Sequence, residues 1–151
     1  MAIATGTMTV TITEALDVGT TVMDTATSVA TTITVNDIFK RVITCPTSEI
    51  TLYTTHASDV AGAQFDEDKI AYVRVTNHDS SNYVTLRITD ANSDEAVYKL
   101  EAGKSFMLHT HKTAFNAAAG AAGAVDASIA SMKAQANTAA CDLEILIASV
   151  A

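Results

Sequence analysis

The sequence contains no tryptophan, and its few phenylalanines and tyrosines bring the aromatic share to only 5%. An aromatic-lined ligand pocket and the base-stacking platform of single-strand binders are both hard to build from so few rings. Basic residues are scarce as well: nine Lys and Arg stand against seventeen Asp and Glu, for a formal net charge of -8. An evenly negative surface repels phosphate backbones and anionic lipid, so neither nucleic acid nor a membrane surface is expected as a partner. Proline occurs once, at Pro46, where it marks a break or an edge strand. No stretch reaches the ~18 uninterrupted apolar residues of a membrane span. Met1-Ala2-Ile3-Ala4-Thr5-Gly6 has neither the basic nor the apolar region of a secretion signal, which predicts a chain made soluble in a cytoplasm. The two cysteines, Cys45 and Cys141, lie far apart with no C-x-x-C or zinc spacing. Two buried reduced thiols are expected, with a bridge only if the protein ends up outside a cell. G-x-S-x-G, P-loop and G-x-G-x-x-G patterns are missing, and no cysteine stands beside a histidine, so no catalytic residue is assigned and the chain is expected not to be an enzyme.

What remains is 151 residues, enough for one domain with a real core. Much of the 48% hydrophobic share is alanine, and threonine is abundant. Small and β-branched residues on this scale suit a thin β-sandwich with extended arms. Period-2 alternation recurs along the chain. Met8, Val10 and Ile12 alternate with Thr7, Thr9, Thr11 and Thr13, giving one core face and one face made of threonine. Residues 14–34 carry no sustained stripe and read as irregular strand or an arm without a core of its own. Apolar positions then run from Ile33 to Tyr53 with an interruption at Cys45-Pro46-Thr47-Ser48. Ala71, Val73 and Val75 share one face, as do Val84, Leu86 and Ile88, and the turn formers Asn77-His78-Asp79-Ser80-Ser81-Asn82 between them predict a β-hairpin. Further turns at 90–95 and 101–104 extend this to four strands in meander order. Residues 116–131, rich in Ala and Gly, have little to bury and are expected to form a loop. Leu143, Ile145 and Ile147 form a closing strand whose partly apolar second face predicts burial on both sides. The expected fold is all-β: an antiparallel β-sandwich, jelly-roll or Ig-like, over residues 35–151, with residues 1–34 as an N-terminal arm and first strand. Val73, Val75, Val84, Leu86, Ile88, Leu100, Phe106, Leu108, Leu143 and Ile145 are its expected core.

Two spacings imitate metal sites. Gly103, five residues, then His109-Thr110-His111 resembles the first metal motif of cupins, which are also β-sandwiches. The expected Glu ligand is replaced by Phe115 or Asn116, and no histidine follows His111, so two imidazoles would lack a third protein ligand. Asp90, Asn92, Asp94 and Glu101 match the first, third, fifth and twelfth positions of a calcium loop, yet Glu95 stands where glycine makes the sharp turn and the flanks alternate like strands. A solvated acidic turn is expected there, and another at Asp66-Glu67-Asp68. No metal or cofactor is assigned.

Three segments carry a family likeness: Lys69-Ile70-Ala71-Tyr72-Val73-Arg74-Val75-Thr76-Asn77, Asn82-Tyr83-Val84-Thr85-Leu86-Arg87-Ile88, and Val97-Tyr98-Lys99-Leu100-Glu101-Ala102-Gly103-Lys104-Ser105-Phe106. Together with Ala140-Cys141-Asp142-Leu143-Glu144-Ile145, they resemble the core strands of small virion structural proteins of tailed bacteriophages. The likeness spans about half the chain, from Lys69 onward. It implies a β-sandwich component of a virion, with the major capsid protein or other virion proteins as partners. A capsid decoration or cement protein is the expectation, since a compact, acidic, aromatic-poor domain with a threonine-rich arm suits a contact repeated many times. A neck, tail or fibre-base component is the alternative, and a cupin-like metal-dependent enzyme the third reading. Symmetry at capsid junctions makes a homotrimer the expected assembly, with a free monomer as the alternative.

Overall fold

The computed structural model describes residues 5–14, 27–57, 65–113, 115 and 127–150. Twelve strands account for most of them. β1 (Gly6–Glu14) and β2 (Thr27–Val35) form an antiparallel hairpin; Asn36 bends the chain directly into β3 (Asp37–Cys45). β4 (Ile50–His56), the short β5 (Phe65–Asp66), β6 (Ile70–Asn77), β7 (Val84–Asp90), β8 (Glu95–Leu100) and β9 (Ser105–Leu108) follow. The short β10 (Lys112–Thr113), then β11 (Ala127–Ala136) and β12 (Cys141–Ser149) complete the set.

Eight of these strands make two facing sheets, in the orders β3-β12-β6-β9 and β4-β11-β7-β8, with β5 beside β4 and β10 beside β11. The antiparallel pairs β3·β12, β4·β11, β6·β9 and β7·β8 nest inside one another along the chain. That is the wrapping of a jelly roll, the double-sheet architecture built from two Greek keys. The all-β sandwich expected from the alternating pattern is therefore the observed fold. Its core interleaves Val73, Val75, Leu143, Ile145 and Ile147 from one sheet with Val84, Leu86, Ile88 and Met132 from the other, all at most 1% exposed. Burying each such side chain contributes about 1.5–3 kcal/mol, so this layer dominates the stability. All ten expected core residues belong to it, Phe106 and Leu108 being half-buried at its margin.

Two sequence expectations about connectivity are corrected. β6 and β7 do not form a hairpin, and the four central strands are not a meander: β6 pairs with β12 and β9, whereas β7 pairs with β11 and β8. The 78–83 segment instead crosses from one sheet to the other. Asn77, fully buried, fixes that crossing. Its Nδ2 donates to the carbonyls of Asn82 (2.9 Å) and Leu100 (3.3 Å), and its Oδ1 accepts from the Asp79 amide. Asp79 in turn accepts from the amides of Ser81 and Asn82. The return crossing, from β8 to β9, turns at Gly103, whose φ of +68° favours glycine, with the Lys104 amide closing the turn on the Glu101 carbonyl.

The second correction concerns residues 116–131. Positions 116–126 lie outside the described residues, but 127–131 begin β11, a strand hydrogen-bonded on both sides. Its inward positions include Ala134 and Ala136, which are buried yet too small to register as an apolar stripe, and bulges near Ile129 and Met132 break its alternation. The expected arm falls partly on residues 1–4 and 15–26, which also lie outside the described residues; the described part is the hairpin.

Candidate functional site: the hairpin and the outer face of the four-stranded sheet

The two outer faces of the sandwich differ. On the β4-β11-β7-β8 sheet the outward positions are mostly polar, with the exposed Val97 as an apolar exception: Arg87 pairs with Glu49 at 3.0 Å and with Glu95 at 3.3 Å, and Lys133 lies 3.6 Å from Glu49. This is a solvated face. On the other sheet the outward positions of β6 and β12 include Tyr72, Leu146 and Ala148, and Tyr72 and Ala148 are buried. The cover is the hairpin. Val35 is buried against them, and Met8, Val10 and Ile33 pack around the same cluster. The closing strand is thus buried on both sides only at its carboxyl-terminal end, at Ile147 and Ala148, whereas Asp142 on the outer face is exposed.

The register sorts the hairpin residues onto two faces, because directly opposed residues share a side. Met8 faces Ile33, Val10 faces Thr31, and Ile12 faces Val29 on the apolar side. Thr7–Thr34, Thr9–Thr32, Thr11–Ala30 and Thr13–Ser28 are the pairs of the other side. The root of the apolar side is covered by the sheet, but towards the tip Ile12 is 41% exposed and its partner Val29 58% exposed. The threonine side is exposed along its described length. A hairpin of two nine-residue strands reaches about 30 Å. It is held at one end and presents both an apolar pair and a ladder of small β-branched side chains at the other.

A cleft of about 490 Å³ separates the hairpin from the sheet, with Met8, Val10 and Ile12 on one wall and Tyr72, Met107 and Leu146 on the other. Arg74, which also lines it, and Lys40 both bind Glu144, the lysine at 3.1 Å. Lys40 first, and Arg74 with it, hold the Glu144 carboxyl below its ordinary value. A second cleft of about 360 Å³ lies beside Ile33, lined by Ile70, Val150, His109 and His111. Backbone groups add to the surface. Among the described residues β1, β2, β3, β8 and β9 each pair on one side only, which leaves donors and acceptors along their free edges.

The look-alike metal residues are dispersed. His109 packs edge-on against Tyr72, centroids 5.0 Å apart, on the outside of the sandwich rather than in its interior. His111 contacts the Ile70 carbonyl through Nδ1 at 3.2 Å, with Nε2 3.7 Å from Asp68. Asp90 is buried, and its Oδ1 accepts from the amides of Asn92 and Asp94, both at 2.9 Å, so it shapes the β7–β8 turn. Glu101 lies at the far end of β8, about 20 Å of strand away, and pairs with Lys99. In the acidic turn Asp66 binds Lys69 and accepts from the Asp68 amide, while Asp68 binds Lys112. Among the described residues no three His, Cys, Asp or Glu side chains converge on one point.

Sequence reasoning missed Asn77 and Tyr72. Nothing local distinguishes Asn77 from the other turn formers around it, and Tyr72 reads as an ordinary outward strand position until the hairpin covers it. No protein-family model matches the chain, and no curated protein matches it at a significant level.

Proposed function

We propose that the protein is a non-enzymatic structural component of a bacteriophage virion, and specifically a capsid decoration protein that stabilises contacts between coat subunits. The observation that carries this reading is the hairpin: anchored at its root on Tyr72 and Ala148, exposed at Ile12 and Val29, and flanked by free strand edges. Such a surface can add to a neighbour's sheet by backbone hydrogen bonds while the apolar pair seats in a pocket. Ordering costs are offset when symmetric contacts repeat many times. The jelly-roll wrapping agrees with the reading by analogy alone, because the same architecture serves capsid proteins, lectins and cupins.

The partners in this reading are the major capsid protein and two further copies of the chain, in a trimer that carries no nucleic acid and no metal. Quantitative gel analysis of purified particles tests it. Hundreds of copies per particle are expected; six, twelve or a few dozen would move the protein to the neck, tail or fibre base, and no copies would remove it from the virion.

A further inference from the structure

The pairing of β3 with β12 sets Cys45 directly opposite Cys141. Both side chains point into the core, both are at most 1% exposed, and both thiols are free. Opposed residues of an antiparallel pair lie about 4.5 to 5.5 Å apart at Cα, inside the 4.4 to 6.8 Å that a disulfide spans. We propose that Cys45 and Cys141 are an oxidation site, at which a small-molecule disulfide such as oxidised glutathione converts the two thiols into a cross-strand disulfide that fastens edge strand β3 to the centre of its sheet. The inference stands on this pairing and does not depend on the virion reading.

The chemistry is two successive exchanges. One cysteine thiolate attacks a sulfur of the small disulfide, forming a mixed disulfide and releasing one glutathione thiolate. The second cysteine thiolate attacks the bound protein sulfur, forming the Cys45–Cys141 bond and releasing the other glutathione thiolate. The protein loses two protons and two electrons; the oxidant takes up both, as two thiols. Burial opposes the first step in the closed protein, since it pushes the Cys45 thiol up to about 11 and raises Cys141 as well. The position of the pair offers the way in. Cys45 is the last residue of an edge strand, before Pro46, and Cys141 is the first residue of β12, after the exposed 137–140 segment. Fraying of these two ends, or folding itself, brings both sulfurs to the oxidant.

The bond would close a loop of roughly 100 residues, for which the loss of unfolded-state freedom is near its largest. β3 follows β2 directly across the bend at Asn36, so the staple also ties down the strand next to the hairpin. The full chain, purified reduced, is incubated in a glutathione redox buffer both folded and during refolding from denaturant. Intact mass, free-thiol titration after unfolding, and Tm are then read. The expected result is a monomer lighter by two hydrogens, no free thiol, and a Tm at least about 5 °C above the reduced form, reversed by dithiothreitol. Cys45→Ala and Cys141→Ala should each show no rise in Tm on going from reducing to oxidising buffer. Two titratable thiols after refolding in that buffer, a disulfide-linked dimer, or an oxidised form no more stable than the reduced one would each overturn the proposal.

Discussion

Truncating Leu86 to Ala tests the strand register at the centre of the sandwich. Leu86 is fully buried in the middle of β7, opposite Ala134 on β11 and Tyr98 on β8. Leucine-to-alanine changes in cores cost about 2 to 5 kcal/mol, the spread reflecting how far the site can collapse. Here collapse is restricted. β7 is hydrogen-bonded on both sides, and the neighbour on β11 is already an alanine, so the backbone is held in place and the β11 side has nothing to fill the void. The expected loss is therefore in the upper part of the range, about 3 to 5 kcal/mol, or roughly 6 to 20 °C in Tm for a chain of this size. Urea unfolding followed by circular dichroism measures it, with an unchanged m-value as the sign that the denatured state is unaltered. Val97→Ala on β8, where the valine is 61% exposed, serves as the control and should stay within about 0.5 kcal/mol. A slip of one residue would turn Leu86 outward and Arg87 inward. Near-wild-type stability of Leu86→Ala, together with a large loss in Arg87→Ala, would refute the register.

Three further outcomes are expected. Asn77→Ala leaves the buried Leu100 carbonyl and the Asp79 amide short of a partner and should cost about 2 to 4 kcal/mol in denaturant unfolding, whereas a loss under about 0.5 kcal/mol would deny it the pivot role. Glu144 and Asp79 have folded-state values held below the ordinary carboxylate range, by Lys40 and Arg74 for the first and by the Asn82 and Ser81 amides for the second. The folded state therefore binds fewer protons there than the unfolded chain, so their stabilisation is complete above the ordinary carboxylate values and is lost as pH falls through the lower folded ones. Melting curves from pH 6 downward should show Tm falling in that acid window, less steeply in Glu144→Gln and Asp79→Asn; identical slopes in all three proteins would sink the assignment. Chelator treatment should leave Tm where it is, and a drop of several degrees restored by zinc, manganese or calcium would revive a site at His109 and His111 or at Asp90 and Asp94.

The sequence makes local conformation legible wherever the alternating side chains are large. Val84, Leu86 and Ile88 announce β7 and its buried face, and Leu143, Ile145 and Ile147 announce β12. Where the inward residues are Ala134 and Ala136 the signal fades, and β11 reads as a loop although it is central to its sheet. Partnership is a different matter. The Asn77–Asn82 cluster contains the residues any tight connection needs, so it cannot tell a hairpin from a crossover between sheets; the Asn77 contacts to Leu100 and Lys104 that decide it come from elsewhere in the chain. Distance along the chain hides the Cys45–Cys141 pairing for the same reason. The hairpin was half legible. Met8, Val10 and Ile12 mark β1, but the partner strand, with threonine opposite Val10, carries too weak a stripe to identify, and only the register shows which of its residues join the apolar side.

In the proposed function the protein works by burying the hairpin against neighbouring virion subunits. Particles stripped of the protein, incubated with the full chain or with a chain lacking residues 1–34 and then sedimented, test it most directly. The full chain is expected to rebind to saturation while the shortened chain, confirmed as folded by its circular dichroism, stays in the supernatant. Undiminished binding by the shortened chain would remove the hairpin from the mechanism.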